Sequence, residues 1–143
     1  MPSRRRSRQR ALQMLFSWDC RRQSVDEAIE SFYSSLYVDE KPVQDQFANE
    51  LLRGAVEHME DVDSRIARHA EHWRMERMPA VDRNILRLSV YEMTHLGTPP
   101  AVAIDEALEL ARRFSSEESV HFLNGVLDAV RREQPPAPSN ESS

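Results

Sequence analysis

Apolar positions recur along most of this chain at intervals of three and four, the spacing that puts side chains on one face of a helix. Leu12, Leu15 and Phe16, flanked by Ala11 and Trp18, form such a stripe from about Ser7 to Asp19, with a run of arginines leading into it. A second stripe, Ile29, Phe32, Tyr33 and Leu36, starts just after Ser24 and Glu27. That serine–glutamate spacing lets each side chain satisfy the other's backbone amide at a helix start. Residues 37–42, with Asp39, Glu40 and Pro42, read as a connection. Phe47, Leu51, Ala55 and Met59 mark a third helix. Val62, Ile66, Ala70 and Trp73 prolong the rhythm, either as a new helix or as a kinked continuation.

Pro79 breaks the pattern, and Asp82 is placed to cap or favourably charge the helix that follows. Ile85, Leu86, Leu88, Val90, Tyr91, Met93 and Leu96 are apolar on more than one face, as expected of a helix at the centre of a bundle. Gly97-Thr98-Pro99-Pro100 is a loop signal. Ala103, Ile104, Ala107, Leu108 and Ala111 build the next helix, Ser115 and Glu118 repeat the capping spacing, and Leu123, Val126, Leu127 and Val130 form the last stripe. Asn124-Gly125 is a turn dipeptide in isolation. Leu123 and Leu127 share a face only if the helix runs through it, at a glycine cost of up to ~1 kcal/mol relative to alanine. A packing or partner requirement at Gly125 is the expected reason. The Pro- and Ser-containing stretch from Gln134 has little to bury and is expected to be disordered.

The result is an all-α chain: a single helical domain over residues 1–133 and a tail over 134–143. Only three glycines occur in 143 residues, and no apolar stretch approaches the ~18 residues needed to span a bilayer. Cys20 is the lone cysteine, which excludes an intrachain disulfide and agrees with a reducing cytoplasm.

Charge changes the picture more. Residues 1–22 hold seven arginines against Asp19 alone, a surplus of six, whereas the 12 basic and 23 acidic residues that remain give −11, for a net −5. A basic arm on an acidic body suggests a polyanion at one end and a basic partner elsewhere. Guanidinium groups pair bidentately with phosphates and stack on bases, so Arg4, Arg5, Arg6, Arg8 and Arg10 suit flexible single-stranded RNA. A solubilising tail is the competing reading. Phe122 sits about 90° from the centre of the last stripe, at the edge of the core. It is either a flanking core aromatic or a ring on which a base stacks. Catalysis and metal binding have little support: His69 and His72 are spaced to share a face, but no His-Glu-x-x-His motif accompanies them, and three glycines build no phosphate-cradling loop.

Three stretches, in this order and spacing, resemble the NusB family over roughly residues 4–132. They are Arg4-Arg5-Arg6-Ser7-Arg8 leading into Ala11-Leu12-Gln13-Met14-Leu15-Phe16; Val81-Asp82-Arg83-Asn84-Ile85-Leu86-Arg87-Leu88 through Tyr91-Glu92; and Ala103-Ile104-Asp105-Glu106-Ala107 running on to Phe122-Leu123-Asn124-Gly125-Val126-Leu127-Asp128. The resemblance implies about seven helices in two packed sub-bundles, no catalytic activity, no cofactor and no metal. It implies binding of boxA-type single-stranded RNA together with NusE, a small-subunit ribosomal protein, in the antitermination complex of bacterial RNA polymerase. It also implies that Phe122 and Glu118 lie on the RNA surface with the arginines. Glu118 would repel phosphate, so neutralising it should tighten RNA binding. Phe16, Glu76 and Asp82 match positions that face NusE, with Phe16 lacking the hydroxyl of the tyrosine found there in the family. Self-association into a homodimer that hides the RNA surface is a further implication.

Overall fold

The computed structural model describes residues 3–36, 43–70 and 73–133, and every regular element among them is helical. Helices α1 (Arg4–Arg21), α2 (Val25–Leu36) and α3 (Gln46–Glu57) pack on one another. A second group comprises α4 (Met59–His69), α5 (Ala80–Tyr91), α6 (Pro100–Phe114) and α7 (Glu117–Glu133). These are the two expected sub-bundles. The expected connection at 37–42, the tail at 134–143 and His72 lie outside the described residues. No helix among the described residues is long and apolar enough to cross a membrane.

α5 joins the groups by touching α1 and α3 on one side and α4, α6 and α7 on the other. Its sequence, apolar on several faces, is what such a position demands: Asp82 and every residue from Asn84 to Tyr91 are buried. One continuous core results, to which α1 gives Leu15, α3 Leu51, α4 Ile66, α5 Ile85 and α7 Leu127. α1 runs antiparallel to α5, since Arg8 near its start meets Glu92 and Asp19 near its end meets Arg83 and Asn84.

Local chemistry shifts several boundaries. α1 begins at Arg4 rather than near Ser7, because the Ser3 hydroxyl accepts the Arg6 amide at 3.1 Å and caps the helix; the arginines therefore form its first turns. The Ser24–Glu27 box forms reciprocally, at 2.9 and 3.1 Å. Its expected counterpart at Ser115 and Glu118 does not: Ser116 caps α7 by accepting the Ser119 amide, while Ser115 donates its hydroxyl to Asp82. Asp82 accordingly makes no cap for α5. α3 and α4 are a kinked continuation interrupted only at His58. α4 stops before Trp73, and a 3-10 turn (Met75–Arg77) leads into α5. After α5 the chain widens into a π-helical turn (Glu92–Leu96) closed by Gly97 at φ 82°, leaving Leu96 largely exposed instead of in the core. α7 runs unbroken through Asn124 and Gly125.

Candidate nucleic-acid interface

Helical periodicity divides the arginine run between two faces of α1. Arg8 points inward and is 7% exposed; its guanidinium donates to both carboxylate oxygens of Glu92, each at 2.7 Å. The bond to Glu92 raises the Arg8 pKa despite the opposing effect of burial. A guanidinium enclosed and paired in this way is not offered to phosphate, so Arg8 belongs to the core and not to the gripping surface expected of it. Arg10 is half-turned inward. It donates to Asp45 at 3.1 Å, and Asp45 also accepts the Ser7 hydroxyl and caps α3 through the Ala48 amide.

The remaining three face outward. Arg5 donates to both oxygens of Glu106 on α6, at 3.2 and 3.0 Å, yet its side chain stays more than half exposed. That bond holds the Glu106 carboxyl below the usual carboxylate range. The Arg4 guanidinium lies 3.8 Å from the centre of the Phe47 ring, a cation–π contact that leaves the charge available to solvent. Arg6 makes no side-chain ion pair among the described residues.

The outward face of α1 meets the end of α6 along two adjoining clefts. One, of about 250 Å³, is lined by Arg5, Gln9, Glu106, Glu109, Leu110, Arg112 and Arg113. The other, of about 380 Å³, is lined by Arg6, Gln9, Arg10, Gln13, Phe32, Leu36, Arg113 and Phe114. Gln9 and Arg113 belong to both, so the clefts form one track of arginines with amide side chains between them. Arg112 and Arg113 carry no distinguishing signal in the sequence, because basic residues in a last helical turn read as ordinary partners of the helix dipole. Their adjacency to α1 appears only when the helices pack.

Phe122, half-buried on α7, lies on another cleft, of about 420 Å³, with Glu118, Trp73, Arg77 and Pro79. Glu118 is exposed. Phe122 packs against Trp73 with ring centres 5.7 Å apart and planes tilted by 57°. Trp73, in sequence only the last beat of a helical rhythm, is a functional candidate by virtue of this contact. The arginines and Phe122 do not close on a single groove. Arg8 marks the Glu92 end of α5 and the Phe122 cleft its Asp82 end, ten residues or roughly 15 Å apart along the helix. The end of α6 bridges the interval: Arg113 borders the α1 track, and two residues later Ser115 bonds Asp82 beneath Phe122.

The residues expected to face a protein partner gather at that same end. Phe16 is 38% exposed on the outward stripe of α1 that also carries Gln9 and Gln13. Glu76 is exposed on the 3-10 turn. The turn is tied to α1 through Arg83, which donates to Asp19 and to the carbonyls of Met75 and Met78. Asp82 differs from them. It is 3% exposed, and its two carboxylate oxygens accept the hydroxyls of Ser115 and Ser119, both at 2.6 Å. It therefore positions the start of α7 from beneath the surface, and Glu76 is the acid that faces outward. His69, at the end of α4, contacts Glu133 on α7.

The NusB family model matches residues 5–132. This chain belongs to the NusB family. Among its relatives, a transcription antitermination protein NusB from Solibacter usitatus is 71% identical over 135 residues, covering 94% of this chain and 92% of the relative. One from Koribacter versatilis is 52% identical, covering 92% and 90%. Among solved structures, NusB from T. maritima superposes with a TM-score of 0.81 at 34% identity over 94% of each chain. A chain in the crystal structure of the antitermination factors NusB and NusE in complex with dsRNA superposes with a TM-score of 0.80 at 28% identity, over 92% of this chain and 97% of that one. The family match spans α1 to α7, so the arginine track, the Phe122 cleft and the Glu76 end all fall within the NusB-like region.

Proposed function

We propose that this NusB-family chain is a transcription antitermination factor, a cytoplasmic binding protein with no catalytic step and no cofactor. It takes boxA-type single-stranded RNA together with NusE and joins the RNA polymerase antitermination complex. The observation that carries the reading is the continuous arginine track between α1 and α6, a basic surface on a chain of net charge −5. Arg4, Arg5, Arg6 and, more weakly, Arg10 contact phosphates, Arg112 and Arg113 extend the track, and the Phe122 cleft receives a base. Glu118 sets the edge of the path by repelling phosphate. Phe16 and Glu76 face NusE, an acidic and apolar surface suited to a basic ribosomal protein, and Asp82 holds the floor of that region in place.

Titration of a fluorescent boxA-type RNA, with and without NusE, tests this. Log affinity should fall with log salt at about −0.7 per phosphate contacted, and the combined Arg4→Ala, Arg5→Ala and Arg6→Ala variant should bind far more weakly. Affinity retained by that variant, or a nearly flat salt response, rejects the site. At matched salt Glu118→Gln should bind more tightly than wild type. The exposure of Leu36 and Phe114 beside the same arginines, and of Phe16 further along α1, favours a second reading, in which a second copy of the chain covers this face when RNA is absent. Light scattering with and without RNA separates the two.

A further inference from the structure

Trp73 is the most conspicuous apolar side chain on this part of the surface. An indole is among the largest side chains a core can bury, yet this one is 53% exposed, and its partner Phe122 is the half-buried member of the pair. Nor is Trp73 loosely held. Its amide donates to the Ala70 carbonyl at 2.8 Å, and the turn that follows it is pinned by Arg83 on the Met75 and Met78 carbonyls. With ring centres 5.7 Å apart and planes tilted by 57°, the two rings touch and leave no slot for a base between them. The π-face available to a ligand is the outer face of the indole.

Charge around the rings fixes an orientation. Arg77, exposed and without an ion pair among the described residues, lines the cleft together with Glu118. The acidic charge of Asp82 in the floor is engaged by two serine hydroxyls. A phosphate is attracted to Arg77 and repelled by Glu118, so a strand would pass on the Arg77 side with its base turned in over Trp73. The volume, about 420 Å³, lies within the range of small-ligand pockets.

Resting on the RNA-binding reading above, we propose that Trp73 is the platform on which an unpaired nucleobase stacks, that Phe122 acts by propping the indole, and that Arg77 receives the adjoining phosphate. Stacking on an aromatic ring tolerates any base, so this contact adds affinity with little sequence preference.

The chain has two tryptophans, Trp18 and Trp73, so a Trp18→Phe protein reports on Trp73 alone. Its emission should be quenched as boxA-type RNA is added. Trp73→Ala should lower RNA affinity by about 5- to 150-fold, the span of one stacked base, with its melting temperature little changed. Trp73→Phe should retain most of the affinity, and Phe122→Ala should lose less than Trp73→Ala. Unquenched emission, a larger loss from Phe122→Ala, or a Trp73→Ala protein that binds RNA normally but fails to bind NusE would overturn the assignment. If Trp73→Ala binds as wild type while the arginine variants do not, only this proposal fails. A wild-type protein that ignores the RNA overturns both this and the reading it rests on.

Discussion

Arg6 and Arg8 lie two residues apart on α1 and point to nearly opposite sides of it. Arg6 is exposed with no ion pair among the described residues, whereas Arg8 is enclosed against Glu92, whose Oε1 also accepts the Thr98 hydroxyl at 2.9 Å. Charge and availability are therefore distinct properties of the arginine run. Seven arginines in 22 residues describe the field at that end of the chain, but only the helical rotation between neighbours decides which of them an RNA can reach.

Removing each side chain in turn should have opposite consequences. Arg8→Ala leaves the Glu92 carboxylate, itself 2% exposed, buried without its cation, a change that costs about 3–5 kcal/mol. Arg6→Ala should alter stability by less than about 0.5 kcal/mol and weaken RNA binding instead. Urea unfolding of both variants decides it: an Arg8→Ala protein as stable as wild type would remove the distinction between the two faces.

The other end of α1 offers a pH test of the inward face. Burial pushes the Asp19 carboxyl up, but hydrogen bonds from Arg83 and Asn84 and the charges of Arg87 and Arg83 outweigh it, so its pKa lies below the ordinary value. A carboxyl depressed by folding contributes stability that is complete above its unfolded pKa, about 3.9 for aspartate, and is lost as pH falls through the lower folded value. The melting temperature should therefore drop steeply below about pH 4. Asp19→Asn should be less stable at neutral pH and show a shallower acid limb; an acid limb identical to wild type would remove Asp19 from the linkage.

How much of this was legible beforehand differs between fold and site. The apolar stripes of α2, α6 and α7 and the many-sided apolar run of α5 are local patterns, and they led directly to helices and to the central one. The Ser24–Glu27 box was legible for the same reason, since all its atoms lie within one turn. Ser115 departs from its expected capping role because its hydroxyl is claimed by Asp82, 33 residues away in sequence. The inward turn of Arg8 depends on Glu92, 84 residues away. Arg112, Arg113 and Trp73 entered the site only through neighbours that packing supplied. The interface was thus legible in residue type, and illegible wherever a distant partner decides whether a side chain is used.

The outward face has its own test. Among the described residues Arg112 pairs only with half-buried Glu109 on its own helix, at 3.1 Å, and Arg113 lies 5.7 Å over Phe114. Neither contact should be worth more than about 1 kcal/mol. Replacing both by alanine should leave the unfolding midpoint close to wild type and reduce the magnitude of the salt slope of RNA binding by about 1.4, two phosphates at about 0.7 each. An unchanged slope would confine the track to α1.

The smallest expected effect separates the same two situations at glycine. A methyl group at Gly54 would lie 1.9 Å from the Tyr91 hydroxyl, so this glycine is needed where α3 crosses α5. At Gly125 the same methyl meets nothing within 4 Å, and the residue is exposed one turn beyond Phe122. Packing therefore does not account for a glycine in the middle of α7, and the helix bears its cost openly. Gly125→Ala should stabilise the fold by up to about 1 kcal/mol, read as a higher urea midpoint. If RNA or NusE approaches the bare backbone there, the same variant should bind that ligand more weakly, so stability and affinity move in opposite directions; lower stability would mean that α7 is packed differently at this point.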